Sequence, residues 1–306
     1  MHIVFKLPFG VDINNLIDDL RVFSWEASDI LLYYSKKLKN PNNSKEIIKT
    51  KDETDPVTAA DLEVNDLIIQ RINKNYKEVD WNIISEENVK IGSDDLLDIN
   101  SKWMWVLDPL DGTKDFIQGT PNYAMHLALN YEKKPCVGLV LIPERGELWI
   151  TDSKEAWYEN KDGLIRKACL QNNKPLKDMT IVTSKNHGNA TLKNLINKVG
   201  FREVKVMGSI GCKIASIIRG ECDIYISLSL PGKSSPKDWD FAAPEAVLRA
   251  AGGAITNVDN EELSYLSSNF RQGGIIIASN NKQSHKNICL QIKEIIIQNN
   301  LYPLTY

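Results

Sequence analysis

Trp105-Val106-Leu107-Asp108-Pro109-Leu110-Asp111-Gly112-Thr113 reads as an apolar strand that ends on a carboxylate and then turns sharply. The strand is expected over residues 103–108, with Pro109 stopping the ladder because it has no N–H to donate. Asp111 follows Asp108 at i, i+3, and two carboxylates so placed around a proline turn point at one cation, with the Leu110 carbonyl turned inward between them. Every donor is an oxygen, so the implied ion is hard, Mg²⁺ or Mn²⁺. The Gly112 and Thr113 N–H groups open the next segment, where an anion can bind. An ordinary Asp-Pro or Asp-Gly turn is the plainer reading, but such a turn rarely needs both acids, the glycine and the threonine hydroxyl after a strand.

Three further acidic clusters fall where elements end. In Asp55-Pro56-Val57-Thr58-Ala59-Ala60-Asp61, Pro56 disfavours helix at Asp55. Thr58 can cap the helix that follows, which puts Asp61 in its first turn. In Ile83-Ile84-Ser85-Glu86-Glu87, two adjacent acids follow an apolar strand and read as a loop. Lys237-Asp238-Trp239-Asp240-Phe241-Ala242-Ala243-Pro244-Glu245 opens a helix expected over 241–251, with Asp240 at its N-terminus and Pro244 tolerated in the first turn. Taken singly, each has a plainer explanation: acids on the positive end of a helix dipole, a solvated loop, an Asp cap beside a packing Trp239.

Working outward, apolar residues from Ile13 to Tyr34 recur every three or four positions, which predicts a long amphipathic helix over 12–38. Residues 39–46 read as a loop, and a second helix is expected over 59–75. Short strands are expected at 82–85, 103–108, 123–131, 137–142 and 147–151. Beyond them strands at 180–184, 204–207, 223–227 and 274–278 alternate with helices at 191–199, 211–218, 241–251 and 284–298. The chain therefore divides into an α+β first half, 1–178, and an α/β second half, 179–306, with a seam near Asn-Asn-Lys-Pro-Leu-Lys-Asp. No long flexible linker separates them, so the halves are expected to pack together with a site between them.

With 306 residues, 42% hydrophobic and 25% charged, the chain has the composition of a globular protein. Lys+Arg 37 against Asp+Glu 40 leaves a net charge of -3, which argues against a protein that coats nucleic acid or an anionic membrane. Five scattered cysteines without a C-x-x-C spacing read as reduced thiols of a cytoplasmic protein. The N-terminus lacks the pattern of a secretory leader, and no run approaches the roughly 20 apolar residues of a membrane span.

DPVTAAD, SEE, DPLDGT and WDFAA, in that order over roughly residues 50–280, resemble the lithium-sensitive, Mg²⁺-dependent phosphatases. That superfamily includes the inositol monophosphatases, fructose-1,6-bisphosphatases and 3′(2′),5′-bisphosphate nucleotidases. The resemblance implies a layered αβαβα sugar-phosphatase-like fold with the active site between the halves. It implies two or three Mg²⁺ ions, Mn²⁺ as a substitute, and Li⁺ as an inhibitor. Glu86, Asp108, Asp111, Asp240 and the Leu110 carbonyl would be the metal ligands. Asp61 and Thr113 would orient and deprotonate the attacking water, and Glu87 would stand behind the ligands or at a third ion.

Within the superfamily, DGTKDF, Gly208-Ser209-Ile210-Gly211-Cys212-Lys213 and Thr183-Ser184-Lys185-Asn186-His187 are most similar to the nucleotidase branch. That likeness implies substrate contacts from Gly112, Thr113, Ser184, His187, Ser209 and Lys213, with Lys213 and His187 holding the rest of the nucleotide. Lys185-Asn186 departs from the branch's Arg-Ser, and the Ser-rich 228–238 loop does not align securely. His126 alternates along an apolar strand and reads as a packed histidine. The implied reaction removes the 3′-phosphate of 3′-phosphoadenosine 5′-phosphate, with its sulfated relative as a second substrate. The alternatives are an inositol monophosphatase or broad sugar phosphatase and, further off, a non-catalytic metal- or phosphate-binding homologue. The expected partner is a small phosphorylated nucleotide, not nucleic acid or membrane, and both monomer and homodimer stay open.

Overall fold

All nine residues of the strand Trp103–Asp111 are buried, because alternate side chains enter two different apolar layers. Trp103, Trp105 and Leu107 join one layer, Met104 and Val106 the other. A computed structural model describes residues 6–40, 44–49, 56–90, 101–170, 173–185 and 188–303. Asp55 and His187 lie outside the described residues.

The first part of the chain runs α1 (Ile13–Leu38), α2 (Ser44–Ile47), α3 (Ala59–Asn75), β1 (Asn82–Ser85), α4 (Glu86–Lys90), β2 (Trp103–Asp111) and α5 (Thr113–Ile117). A meander follows through β3 (Ala124–Tyr131), β4 (Lys134–Ile142), β5 (Glu147–Thr151), β6 (Ala156–Asn160) and β7 (Ile165–Ala168). These strands form one seven-stranded sheet in chain order, parallel between β1 and β2 and antiparallel thereafter. The rest contains β8 (Thr180–Ser184), α6 (Ala190–Val199), β9 (Glu203–Met207), α7 (Ile210–Ile218), β10 (Ile224–Ser229), α8 (Asp238–Ala250), β11 (Ala254–Asn257), β12 (Gly274–Ser279) and α9 (Lys282–Gln298). Its five-stranded sheet has the order β11-β12-β10-β8-β9.

Three apolar layers fill the spaces between these elements. Leu16, Phe23 and Leu31 of α1 and Val64 and Ile68 of α3 cover one face of the first sheet. Ile214 of α7 and Phe241 and Val247 of α8 lie between the two sheets, together with Val182, Tyr225 and Ile276. Leu195 of α6 and Ile292 of α9 cover the outer face of the second sheet with Ile181, Ile224 and Ile277. The order is helix, sheet, helix, sheet, helix, the layered α/β architecture expected. Gly138 of β4 lets α8 come close: a Cβ there would lie 2.8 Å from the Ala246 Cβ and 3.1 Å from the Ala243 carbonyl oxygen. No described helix is long and apolar enough to cross a membrane.

Several boundaries differ from the sequence reading. Helix α8 begins at Asp238, so Pro244 lies inside it rather than in its first turn. There it removes the i→i−4 bond to the Asp240 carbonyl. Residues 86–90 are a helix, α4, instead of a loop, and residues 44–46 belong to α2. Strands β6, β7 and β11 went unforeseen. β7 is an edge strand whose Ile165, Arg166 and Lys167 are all exposed, so it carries no apolar alternation to read.

Candidate active site

The reach of β2 past Pro109 explains how both of its acids serve one pocket. In a regular strand, residues three apart face opposite sides. Here Asp108 pairs with His126 but Asp111 with Ala124, so β2 spends one residue more than β3 between the two pairs. That bulge restores the phase, and both carboxylates emerge on the α7/α8 side. The Asp108 Oδ1 accepts the Leu110 N–H at 3.0 Å, which closes the turn. The Leu110 side chain is buried in the α1/α3 layer, while its carbonyl accepts the Thr113 hydroxyl at 3.0 Å. Gly112 makes the following corner with φ 90°, and a Cβ there would lie 2.8 Å from the Asn122 carbonyl oxygen.

Asp111 is fixed by the start of α7. Its Oδ2 accepts the Ser209 hydroxyl at 2.7 Å, the Gly211 N–H at 3.2 Å and the Ile210 N–H. Three donors at the start of one helix hold this oxygen in place. The His126 Nε2 stands 3.3 Å from the same oxygen, and its Nδ1 is 3.3 Å from the Trp239 carbonyl of α8. His126 is packed, as expected, and burial pushes its pKa down.

Asp240 stands on the first turn of α8, where its Oδ2 accepts the Lys237 N–H at 2.5 Å. Asp238, two residues earlier, turns away to accept the Leu266 N–H at 2.6 Å and the Gln272 amide at 2.7 Å. Asp108, Asp111 and Asp240 bring one ligand atom each to within 4.8 Å of one another. Burial, with the charges of Glu86, Asp111 and Asp240, pushes Asp108 well above the usual carboxylate range. Burial, then Asp111 and Glu86, does the same to Asp240. So crowded a set of buried oxygen donors is costly without a compensating cation, and its chemistry fits a hard divalent ion.

Asp61 divides its two oxygens between structure and site. Its Oδ2 accepts the Thr58 N–H at 2.8 Å and the Thr58 hydroxyl at 2.5 Å in a capping box that starts α3. Its Oδ1 is left 3.5 Å from the Thr113 hydroxyl. Burial raises its pKa to about 8, with Glu87 and Glu86 adding to the rise against the Thr58 hydrogen bonds.

Four of the six expected substrate contacts sit at or beside this pocket with particular roles. Gly112 and Thr113 follow directly on Asp111, and the Thr113 hydroxyl lies 3.5 Å from the Asp61 Oδ1. The Ser209 hydroxyl is engaged by Asp111 and also accepts the Cys212 N–H at 3.1 Å, so it caps α7. Lys213 is only 2% exposed; its ammonium donates to the Ser209 carbonyl at 3.1 Å and lies over the Tyr225 ring. Burial lowers its pKa against the pull of Asp111, Asp240 and Asp115. Ser184 ends β8 opposite Met207, and Lys185 beyond it reaches the Gln118 side chain at 2.7 Å and Asp115 at 3.5 Å. Lys90, which the sequence reading passed over, lies 3.0 Å from Glu86 and 3.4 Å from Glu87. Its only signal was the i, i+4 spacing, which becomes legible once 86–90 is known to be helical.

The family model for inositol monophosphatases matches residues 21–296. The chain belongs to the inositol monophosphatase family. Among curated proteins it is similar to the 3′(2′),5′-bisphosphate nucleotidase CysQ of Buchnera aphidicola, 30% identical over 85% of this chain and 92% of that one. The CysQ of Escherichia coli K12 is 27% identical over 71% of this chain and 82% of its own. The Nus factor SuhB of Pasteurella multocida is 30% identical over 71% and 77%. Inositol monophosphatase II of Staphylococcus aureus superimposes with a TM-score of 0.66 over 95% of this chain and 100% of that one, at 21% identity. SuhB of Bartonella henselae gives 0.69 over 92% and 98%, at 20%. This family member is a phosphatase by kinship, and the acid cluster supplies the oxygen donors such chemistry needs.

The raised acids give a pH dependence with a definite sign. Folded Asp61, Asp108 and Asp240 keep protons that the unfolded chain releases above about pH 4. These acids therefore destabilise the cation-free protein as pH rises above about 4, Asp61 until about pH 8, while the buried His126 and His285, whose pKa burial lowers, act in the opposite sense below about pH 6.5, as does Lys213. Urea unfolding in EDTA should show a lower midpoint at about pH 7.5 than at about pH 6.5, above the range where the histidines oppose the acids, and excess Mg²⁺ should restore it at the higher pH. A midpoint that climbs between these two pH values in EDTA would show that the raised acids do not dominate the balance.

Proposed function

We propose that this chain hydrolyses the 3′-phosphate of 3′-phosphoadenosine 5′-phosphate to AMP and phosphate, using cations held by Glu86, Asp108, Asp111, Asp240 and the Leu110 carbonyl. The observation that carries the phosphatase part is the convergence of Asp108, Asp111 and Asp240 beside the Asp61–Thr113 pair. The choice of substrate rests on kinship with the CysQ nucleotidases and on Lys185, whose side chain reaches Asp115 beside the pocket.

Bound there, divalent cations neutralise charge on a transferring phosphoryl group and lower the pKa of bound water. The chain's own groups do the rest. The Thr113 hydroxyl and Asp61 Oδ1 hold a water for in-line attack on phosphorus, and the Asp61 carboxylate takes its proton. Asp61 must be ionised for this, whereas burial keeps it protonated to about pH 8 in the cation-free chain. Cations held by Glu86, Asp108, Asp111 and Asp240 would favour the ionised form of Asp61. The Gly112 and Thr113 amides, at the start of α5, donate to the phosphoryl oxygens. The bond from phosphorus to the 3′ oxygen breaks, and that oxygen leaves with a proton from solvent.

The inward set of Lys213, bonded to the Ser209 carbonyl, favours a second reading, hydrolysis of inositol or sugar monophosphates, which have no 5′-phosphate to engage. One panel separates the two. In Mg²⁺, turnover of 3′-phosphoadenosine 5′-phosphate should exceed that of myo-inositol 1-phosphate by at least about tenfold, a difference of about 1.4 kcal/mol in transition-state binding. Li⁺ should inhibit both reactions. The reverse preference would replace the nucleotide reading with the second.

A further inference from the structure

Helix α4 sets a cation of the protein's own against the acidic pocket. Helical spacing stacks Glu86 and Lys90 on one face, with Glu87 beside them. The Lys90 ammonium lies 3.0 Å from Glu86 Oε1 and 3.4 Å from Glu87 Oε1. The Glu87 side chain is 3% exposed and that of Lys90 22%, so this contact is partly shielded from water. On its other side the Glu86 side chain is hydrogen-bonded with Asp108, and its charge adds to the effect of burial in raising both Asp108 and Asp240. Yet the three carboxylates whose ligand atoms lie within 4.8 Å of one another are Asp108, Asp111 and Asp240, without Glu86. Glu86 thus touches both the acid cluster, through Asp108, and the Lys90 ammonium.

We propose that Lys90 is a built-in competitor of the divalent cation: its ammonium neutralises Glu86 and Glu87 at the edge of the acid cluster, and so sets the concentration at which the weakest cation position fills. Lys90 acts on the site through Glu86 and is a positioning residue. The inference rests on the cation-site reading above. Removing the ammonium leaves two adjacent carboxylates and takes away the charge that opposes a divalent ion.

The test is binding of Mn²⁺ alone to the full, EDTA-stripped chain, followed by the electron paramagnetic resonance of free Mn²⁺. Lys90→Gln and Lys90→Met should tighten the weakest step about tenfold, or add one bound ion, while Lys90→Arg keeps the wild-type isotherm. Met preserves the aliphatic stem if Gln impairs folding, and circular dichroism confirms the fold of each variant. An isotherm that is unchanged or weaker in the folded Gln or Met variant overturns the proposal. If wild type binds Mn²⁺ and Asp108→Asn loses it while the Lys90 variants match wild type, only the role of Lys90 fails. If wild type binds no Mn²⁺ at all, the cation-site reading fails with it.

Discussion

Asp108→Asn should lower turnover in Mg²⁺ by more than about a hundredfold, since outer-shell partners of metal ligands alone cost 10–100-fold. Asparagine matches aspartate in volume and keeps a carbonyl oxygen for the Leu110 N–H, now 3.0 Å from Asp108 Oδ1. The turn after β2 should therefore survive. Asn also mimics the protonated carboxyl that burial and the charges of Glu86, Asp111 and Asp240 favour. In EDTA near neutral pH the variant should be at least as stable as wild type. The gain in thermal midpoint on adding Mg²⁺, present in wild type, should shrink or vanish. The pair of readouts separates loss of a ligand from loss of fold. Wild-type turnover in saturating Mg²⁺ would remove Asp108 from the site.

Asp61→Asn should lower turnover by about 10²–10⁴-fold, the usual contribution of a positioned proton acceptor. An amide oxygen can still accept from Thr58, so the cap of α3 persists. The response of the thermal midpoint to Mg²⁺ should also persist, in contrast to Asp108→Asn. Thr113→Ala removes the other half of the pair, 3.5 Å away. If the two act as one unit, the double variant should be little slower than the worse single one. Fully multiplicative losses would mean that the two side chains serve separate steps. An Asp61→Asn protein that had lost its Mg²⁺ response would instead count Asp61 among the principal ligands.

The acids of the pocket were legible because each stands where a strongly patterned element begins or ends. Trp103 to Leu107 could only be a buried strand, and Thr58 with Asp61 is a capping signal written in four residues. What stayed hidden depends on partners distant in sequence. Residues 86–90 are too few to show a helical period and are helical only in their tertiary setting. The bulge at Pro109–Leu110 appears only against β3, since nothing within β2 states which residue goes unpaired. Ser209 and Lys213 were visible as a Gly-rich turn entering a helix. Their inward set follows from Asp111 and Tyr225, which reach them through the packing of two sheets. His187 lies outside the described residues, so its part in substrate contact stands as an expectation.

The grip of α7 on Asp111 bears on the order of assembly. One carboxylate is oriented by the amide groups of a helix nearly a hundred positions later in the chain, and another is delivered by α8. A nascent polypeptide whose later helices have not yet seated on the first sheet presents only part of the oxygen cage. On the cation-site reading, capture of a divalent ion would follow the seating of α7 and α8 on the first sheet.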